Sequence, residues 1–158
     1  GVTTGELLKL IGDTGPEVAR LRVGLGASAG LQRNMPVTAP AGLVGIVTEV
    51  ASRSAVVRTV LDPQSRVGVT VRGKGGQGVA VGDAGGLVRV TRFILDEPVE
   101  VGDVVETSSY GGLFPAGVRL GEVAEVLPPD PNDLRHSFLV RPSVELATLR
   151  QVVLLAPQ

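Results

Sequence analysis

The stretch Arg66–Arg72, "RVGVTVR", alternates without a break. Val67, Val69 and Val71 fall on one side of an extended chain, and Arg66, Gly68, Thr70 and Arg72 on the other. A helix cannot satisfy a period of two, so this run reads as a half-buried antiparallel strand. Looser versions occur at Val44–Val50, Val56–Leu61, Leu87–Phe93, Val104–Thr107, Leu120–Leu127, Ser137–Arg141 and Gln151–Leu155. Turn chemistry separates them at Asp62-Pro63, Gly73–Gly78, Gly82–Gly86, Glu97-Pro98 and Pro128–Asp133. Many short strands between such turns predict an all-β barrel or sandwich. Composition agrees: 43% of residues are hydrophobic but only 3% aromatic, so the core is built from Val, Leu, Ala and Ile. One segment has another rhythm. In Gly5–Ile11, "GELLKLI", Leu7, Leu8 and Ile11 recur at helical spacing and predict a short amphipathic helix, too short to be stable alone.

A length of 158 residues suits one domain or two small ones. Gly45-Ile46-Val47-Thr48-Glu49-Val50 matches Gly121-Glu122-Val123-Ala124-Glu125-Val126 at four of six positions, each copy followed by a further apolar strand. The match suggests two β units joined near Gly73–Gly78. The expected division is 1–17 as linker, 18–75 as the first barrel and 76–158 as the second, with strand exchange between them left open. Each unit would hold about six strands, a size filled by its own side chains.

The chemistry-bearing residues are sparse. Formal net charge is −1, so no overall charge recruits nucleic acid or membrane lipid. The absence of cysteine excludes disulfides, thiol catalysis and thiolate metal sites. Asp13-Thr14-Gly15 spells an aspartic-protease triplet, but that chemistry needs two such aspartates and the chain has one copy. Gly73-Lys74-Gly75-Gly76-Gln77-Gly78 lacks the Gly-Lys-Ser/Thr of a phosphate loop and reads as a flexible hairpin or link. His136 is the single histidine, and Ser137 beside it would point to the opposite face of a strand. Glu97, Glu100 and Asp103 read as solvated edge charges. No cofactor, metal or catalytic site is expected. The chain begins at Gly1 without initiator Met, leader or apolar run of membrane-spanning length, and reads as a soluble piece of a longer protein.

The loop Ser108–Gly117 stands apart. The chain has one tyrosine and three phenylalanines, and this loop holds Tyr110 and Phe114 together with Leu113 and Pro115. Loops are usually polar and exposed. Either these side chains cap the open end of the second barrel, or they present a surface to a partner; both hold if only some turn inward. Tyr110, Leu113, Phe114, Pro115 and Phe93 are the candidate partner-binding residues.

Three ordered motifs carry a family resemblance over about Val23–Leu155. They are Met35-Pro36-Val37 with Gly42-Leu43-Val44-Gly45; Val60-Leu61-Asp62-Pro63; and Val101-Gly102-Asp103 followed by Gly111-Gly112-Leu113-Phe114-Pro115-Ala116-Gly117 and Gly121. In these the chain resembles the extracytoplasmic part of MreC, a family of bacterial rod-shape-determining proteins. The resemblance implies two six-stranded β-barrels in a trypsin-like arrangement without proteolysis, and makes Gly5–Ile11 the end of a coiled coil. It implies a scaffold of the cell-elongation machinery, anchored in the cytoplasmic membrane by an N-terminal helix. The implied partners are the class B penicillin-binding transpeptidase, further copies of itself as dimer or filament, and MreD, RodA, RodZ and MreB. Partners would add a strand to an open sheet edge or pack on the loop. Two departures stand out: the stretch before Val23 is shorter than the family's, and Ser109-Tyr110 replaces the commoner Gly-Leu. The rival reading is a periplasmic adaptor-type or biotinyl-type barrel; Lys9 and Lys74, the only lysines, lack the Met-Lys-Met-like setting of a biotinyl hairpin.

Overall fold

The computed structural model describes residues 3–11, 19–83, 85–129, 131–132 and 135–158, the first of these segments as backbone only. Among the described residues, twelve strands account for nearly all the regular structure. They are β1 (Thr3–Ile11), β2 (Arg20–Val23), β3 (Pro36–Ala39), β4 (Gly42–Val50), β5 (Ala55–Thr59), β6 (Val67–Val71), β7 (Gly75–Gly82), β8 (Val88–Ile94), β9 (Val104–Thr107), β10 (Arg119–Val126), β11 (His136–Pro142) and β12 (Gln151–Leu154). Single 3₁₀ turns lie at Ala27–Ala29 and Leu146–Thr148. Among the described residues no helix is long and apolar enough to cross a membrane.

The strands close into two six-stranded barrels, ordered β1-β12-β3-β4-β5-β2 and β10-β11-β8-β7-β6-β9 around their rings. Counting β12 as the first strand of its barrel, the two rings have the same order, so one topology occurs twice. The expected internal repeat sits at equivalent places in both. In β4 the register shifts between Val47 and Glu49 against β5, and in β10 between Val123 and Glu125 against β11. Gly45 and Gly121 each lie so close to the neighbouring strand that a methyl group would collide with a carbonyl oxygen, of Arg58 and Arg141 respectively.

Three expectations are corrected, and a fourth lies outside the described residues. Gly5–Ile11 is not helical; it lies in β1, which pairs with β12 and with β2. Without β1 those two neighbours would be unpaired edges, and filling a ladder on both sides outweighs a two-turn helical spacing. Asp13-Thr14-Gly15 lies outside the described residues. The division at Gly73–Gly78 does not match strand membership: β6 pairs in the second barrel and β12 in the first. Gly73–Gly78 spans the β6–β7 hairpin, whose strands pair Val71 with Gly75. The crossings between barrels run through 60–66 and 143–150, where Val60, Leu61, Val144 and Leu146 are buried. Both rings are closed, so the described sheets have no free edge for strand addition.

The barrels also touch directly. Gly42 of β4 lies against the backbone of Arg119 in β10, and Gly82 of β7 against Leu61 and Asp62. Any side chain at either glycine would strike main chain.

Candidate functional site

The Ser108–Gly117 loop joins β9 to β10 and is pinned at both ends by Thr107, whose side chain is shut away from solvent. The Thr107 hydroxyl donates to the Pro115 carbonyl (2.5 Å) and accepts the Val118 N–H (2.8 Å). The Gly117 N–H donates to the Thr107 carbonyl, and the Ser108 N–H to Gly68 of β6. Gly111, Gly112 and Gly117 all take positive φ (87°, 71° and 86°), a backbone that other residues rarely adopt. The loop is therefore a pinned turn rather than a slack strap.

Its apolar side chains divide. Phe114 is 7% exposed and turns into the body; Tyr110 and Leu113 remain 61% and 41% exposed, and Pro115 is half-buried. Phe93, the fifth candidate, is fully buried against Phe138, ring centroids 5.3 Å apart and nearly perpendicular. Phe93 and Phe114 are thus buried in the core, while Tyr110 and Leu113 stand on the surface.

A bulge puts Phe93 inside. Val88 and Val90 of β8 face the core, so strict alternation would turn Arg92 inward and Phe93 outward. The register shifts there against both neighbours, β7 and β11, and Arg92 adopts φ 56°. Phe93 then lies over two glycines of β7; a methyl group at Gly78 would come 2.7 Å from its ring. The same shift throws Arg92 and Ile94 outward, Ile94 to 64% exposure. With Tyr110, Arg66 and the half-buried Val79 and Val81 they line a groove of about 500 Å³ on the outside of the second barrel. Sequence reasoning missed this groove. Its signal was the adjacent pair Phe93-Ile94, which a strand must send to opposite faces.

The charges around the β6–β7 hairpin tip are structural. Lys74, at the tip of the β6–β7 hairpin, donates to the Pro98 carbonyl (2.9 Å), Asp103 (2.9 Å) and Glu100 (3.2 Å). The hydrogen bond to Asp103 leads in raising the Lys74 pKa; partial desolvation opposes it and Glu100 adds to it. Desolvation pushes the Asp103 carboxyl up, but the Glu100 N–H and the Lys74 ammonium together outweigh it and leave the pKa lowered. Glu100 and Asp103 are thus partners of one clamp, not free edge charges. His136 directs Nε2 at the Leu95 carbonyl, 2.8 Å away, which makes that nitrogen a donor and fixes the ring. Among the described residues no group of three His, Cys, Asp or Glu side chains is placed to hold a metal.

Comparison with known proteins gives this architecture a family. The model described as "Rod shape-determining protein MreC, barrel core" matches residues 12–156. The cell shape-determining protein MreC of Listeria monocytogenes is 31% identical over 144 residues, which cover 86% of this chain and 48% of that one. That of Cereibacter sphaeroides is 34% identical over 103 residues, 64% of this chain and 34% of its own. The chain thus spans about half or less of the length of these relatives. Among solved structures, MreC from Pseudomonas aeruginosa has a TM-score of 0.88 at 26% identity, with 99% of both chains covered. A complex between a penicillin-binding protein and MreC from Helicobacter pylori contains the same fold, with a TM-score of 0.71 at 17% identity and 98% of this chain covered, 99% of that one. Two matched barrels, a family model spanning nearly the whole chain and relatives named for cell shape agree: the chain belongs to the MreC family of rod shape-determining proteins, as their barrel core.

Proposed function

We propose that this chain is the extracytoplasmic, non-enzymatic body of a scaffold that maintains rod shape. In this reading a membrane anchor elsewhere in the protein holds it at the cytoplasmic membrane. It binds the class B penicillin-binding transpeptidase during peptidoglycan synthesis and associates with further copies of itself as dimer or filament. MreD, RodA, RodZ and MreB complete the machinery by family resemblance. Relatives named for cell shape rather than for a reaction support the non-enzymatic reading.

The observation that carries the proposal is the exposure of Tyr110 and Leu113 on a loop pinned by Thr107 and anchored by Phe114. Tyr110, Leu113 and Pro115 form the contact and Phe114 anchors it in the core, while Phe93 lies inside the barrel against Phe138. A pinned loop loses little freedom on binding, which favours it as an interface. The Helicobacter pylori complex is a precedent for such a partner in that protein. Each apolar anchor contributes about 1.5–3 kcal/mol when buried, against about 4–15 kcal/mol lost on association, so a soluble copy binds weakly. Anchoring both proteins in one membrane raises the effective concentration and offsets that weakness.

The test is calorimetric titration with the soluble ectodomain of the same organism's class B transpeptidase. Tyr110→Ser with Leu113→Asp should weaken binding by about tenfold or more while leaving the β-rich circular dichroism spectrum unchanged. Unaltered affinity in that double variant would refute the contact.

A further inference from the structure

The groove beside Tyr110 is more than an apolar patch. Its apolar part is Ile94, Val79, Val81 and the Tyr110 ring, and its charged part is Arg66 and Arg92. No carboxylate lines it. Among the described residues, Arg66 donates only to the main-chain carbonyls of Pro63 and Ser65, and Arg92 has no hydrogen-bonded or ionic partner. Elsewhere in this barrel several cations are matched by acids, Arg72 by Glu106, Lys74 by Asp103, Arg89 by Asp83 and Arg119 by Glu122, whereas Arg141 of β11 has no acidic partner among the described residues. What sets this groove apart is that two guanidiniums without an acidic partner stand together beside exposed apolar side chains.

The backbone makes the same point. Arg92 holds a left-handed conformation in the middle of a strand, where glycine is the relaxed choice. Glycine there would still swing Phe93 inward. Arginine adds only a charge at the rim of the groove, and such charges gain most from an opposite charge brought by a partner.

We propose that this groove receives an amphipathic segment of the transpeptidase. An apolar side chain would seat on Ile94, Val79 and Val81 beside the Tyr110 ring, flanked by a carboxylate held between Arg66 and Arg92. The inference rests on the reading that this face meets the transpeptidase, and it adds the acidic character of the segment that docks. A phosphate-bearing or neutral segment is an outcome of the test that would overturn it.

The experiment titrates the transpeptidase ectodomain into the full chain at low and high salt. It compares wild type, Tyr110→Ser, Arg92→Lys and the double variant Arg66→Gln with Arg92→Gly. Glycine at 92 suits the left-handed backbone and both arginines are exposed, so the double variant should fold. The double variant should bind about tenfold more weakly at low salt and lose most of the salt dependence of wild type. Arg92→Lys should keep both, and Tyr110→Ser should weaken binding without changing the salt slope. Replacing the acidic residues of the docked segment with their amides should reproduce the double variant's loss. If the double variant binds like wild type while Tyr110→Ser weakens binding, the acidic segment is refuted and the transpeptidase contact stands. If wild type does not bind at either salt, both fall.

Discussion

Three residues separate Tyr110 from Phe114, yet the first is 61% exposed and the second 7%. Phe114→Ala should lower the unfolding free energy by about 3 kcal/mol, read as a lower urea midpoint, because it empties a filled site. Tyr110→Ser should move stability by less than about 0.5 kcal/mol. The opposite order would make Tyr110 the plug and Phe114 the surface residue. The concentration of aromatics in Ser108–Gly117 was legible in the sequence, but the direction of each ring was not. A loop built on three positive-φ glycines has no period from which to read a face. Phe93 was illegible for a related reason. The bulge that turns it inward is made by arginine, so no glycine marks the break in alternation.

At the scale of elements, the clearly alternating strands were legible, whereas β1, the short β2 and β3, and β7 were not. β1 carries helical spacing, and its strand geometry comes from neighbours supplied by distant sequence. β7 begins in glycines that mimic a flexible link; they are small because Phe93 lies across them. The Lys74 clamp across this hairpin yields a pH prediction. Asp103 has a lowered pKa, so its contribution is present above the ordinary value of 3.8 and is lost as pH falls through the lowered one. Lys74 has a raised pKa, so its contribution is present below 10.5 and is lost as pH rises through the raised one. Thermal melts of wild type and Lys74→Met should therefore differ by a constant amount between roughly pH 5 and 9, and converge in acid and in strong base. A difference that persists unchanged in strong acid would show that Asp103 is not the partner that matters.

Across the whole molecule, the internal repeat pointed to two barrels of one topology, but not to their closure. A strand that completes a ring is specified by the open ladder it fills, and β12 arrives from the far end of the chain. Its loss is therefore predicted to act locally. A fragment of residues 60–146 contains all six strands of the second barrel and should fold with protected amides. The full chain without Gln151–Gln158 should lose protection in β3 and β1 first, because each then has an unpaired edge. Equal loss across both barrels in hydrogen exchange would mean that they fold as one unit. The central claim is that the molecule acts by presenting one face of the second barrel to the transpeptidase. A photoreactive phenylalanine in place of Tyr110, in living cells, tests it most directly, with the same residue in place of the exposed first-barrel Arg22 as reference. The account predicts a crosslink to the class B transpeptidase from position 110 and none from position 22; a crosslink from 22 with none from 110 would contradict it.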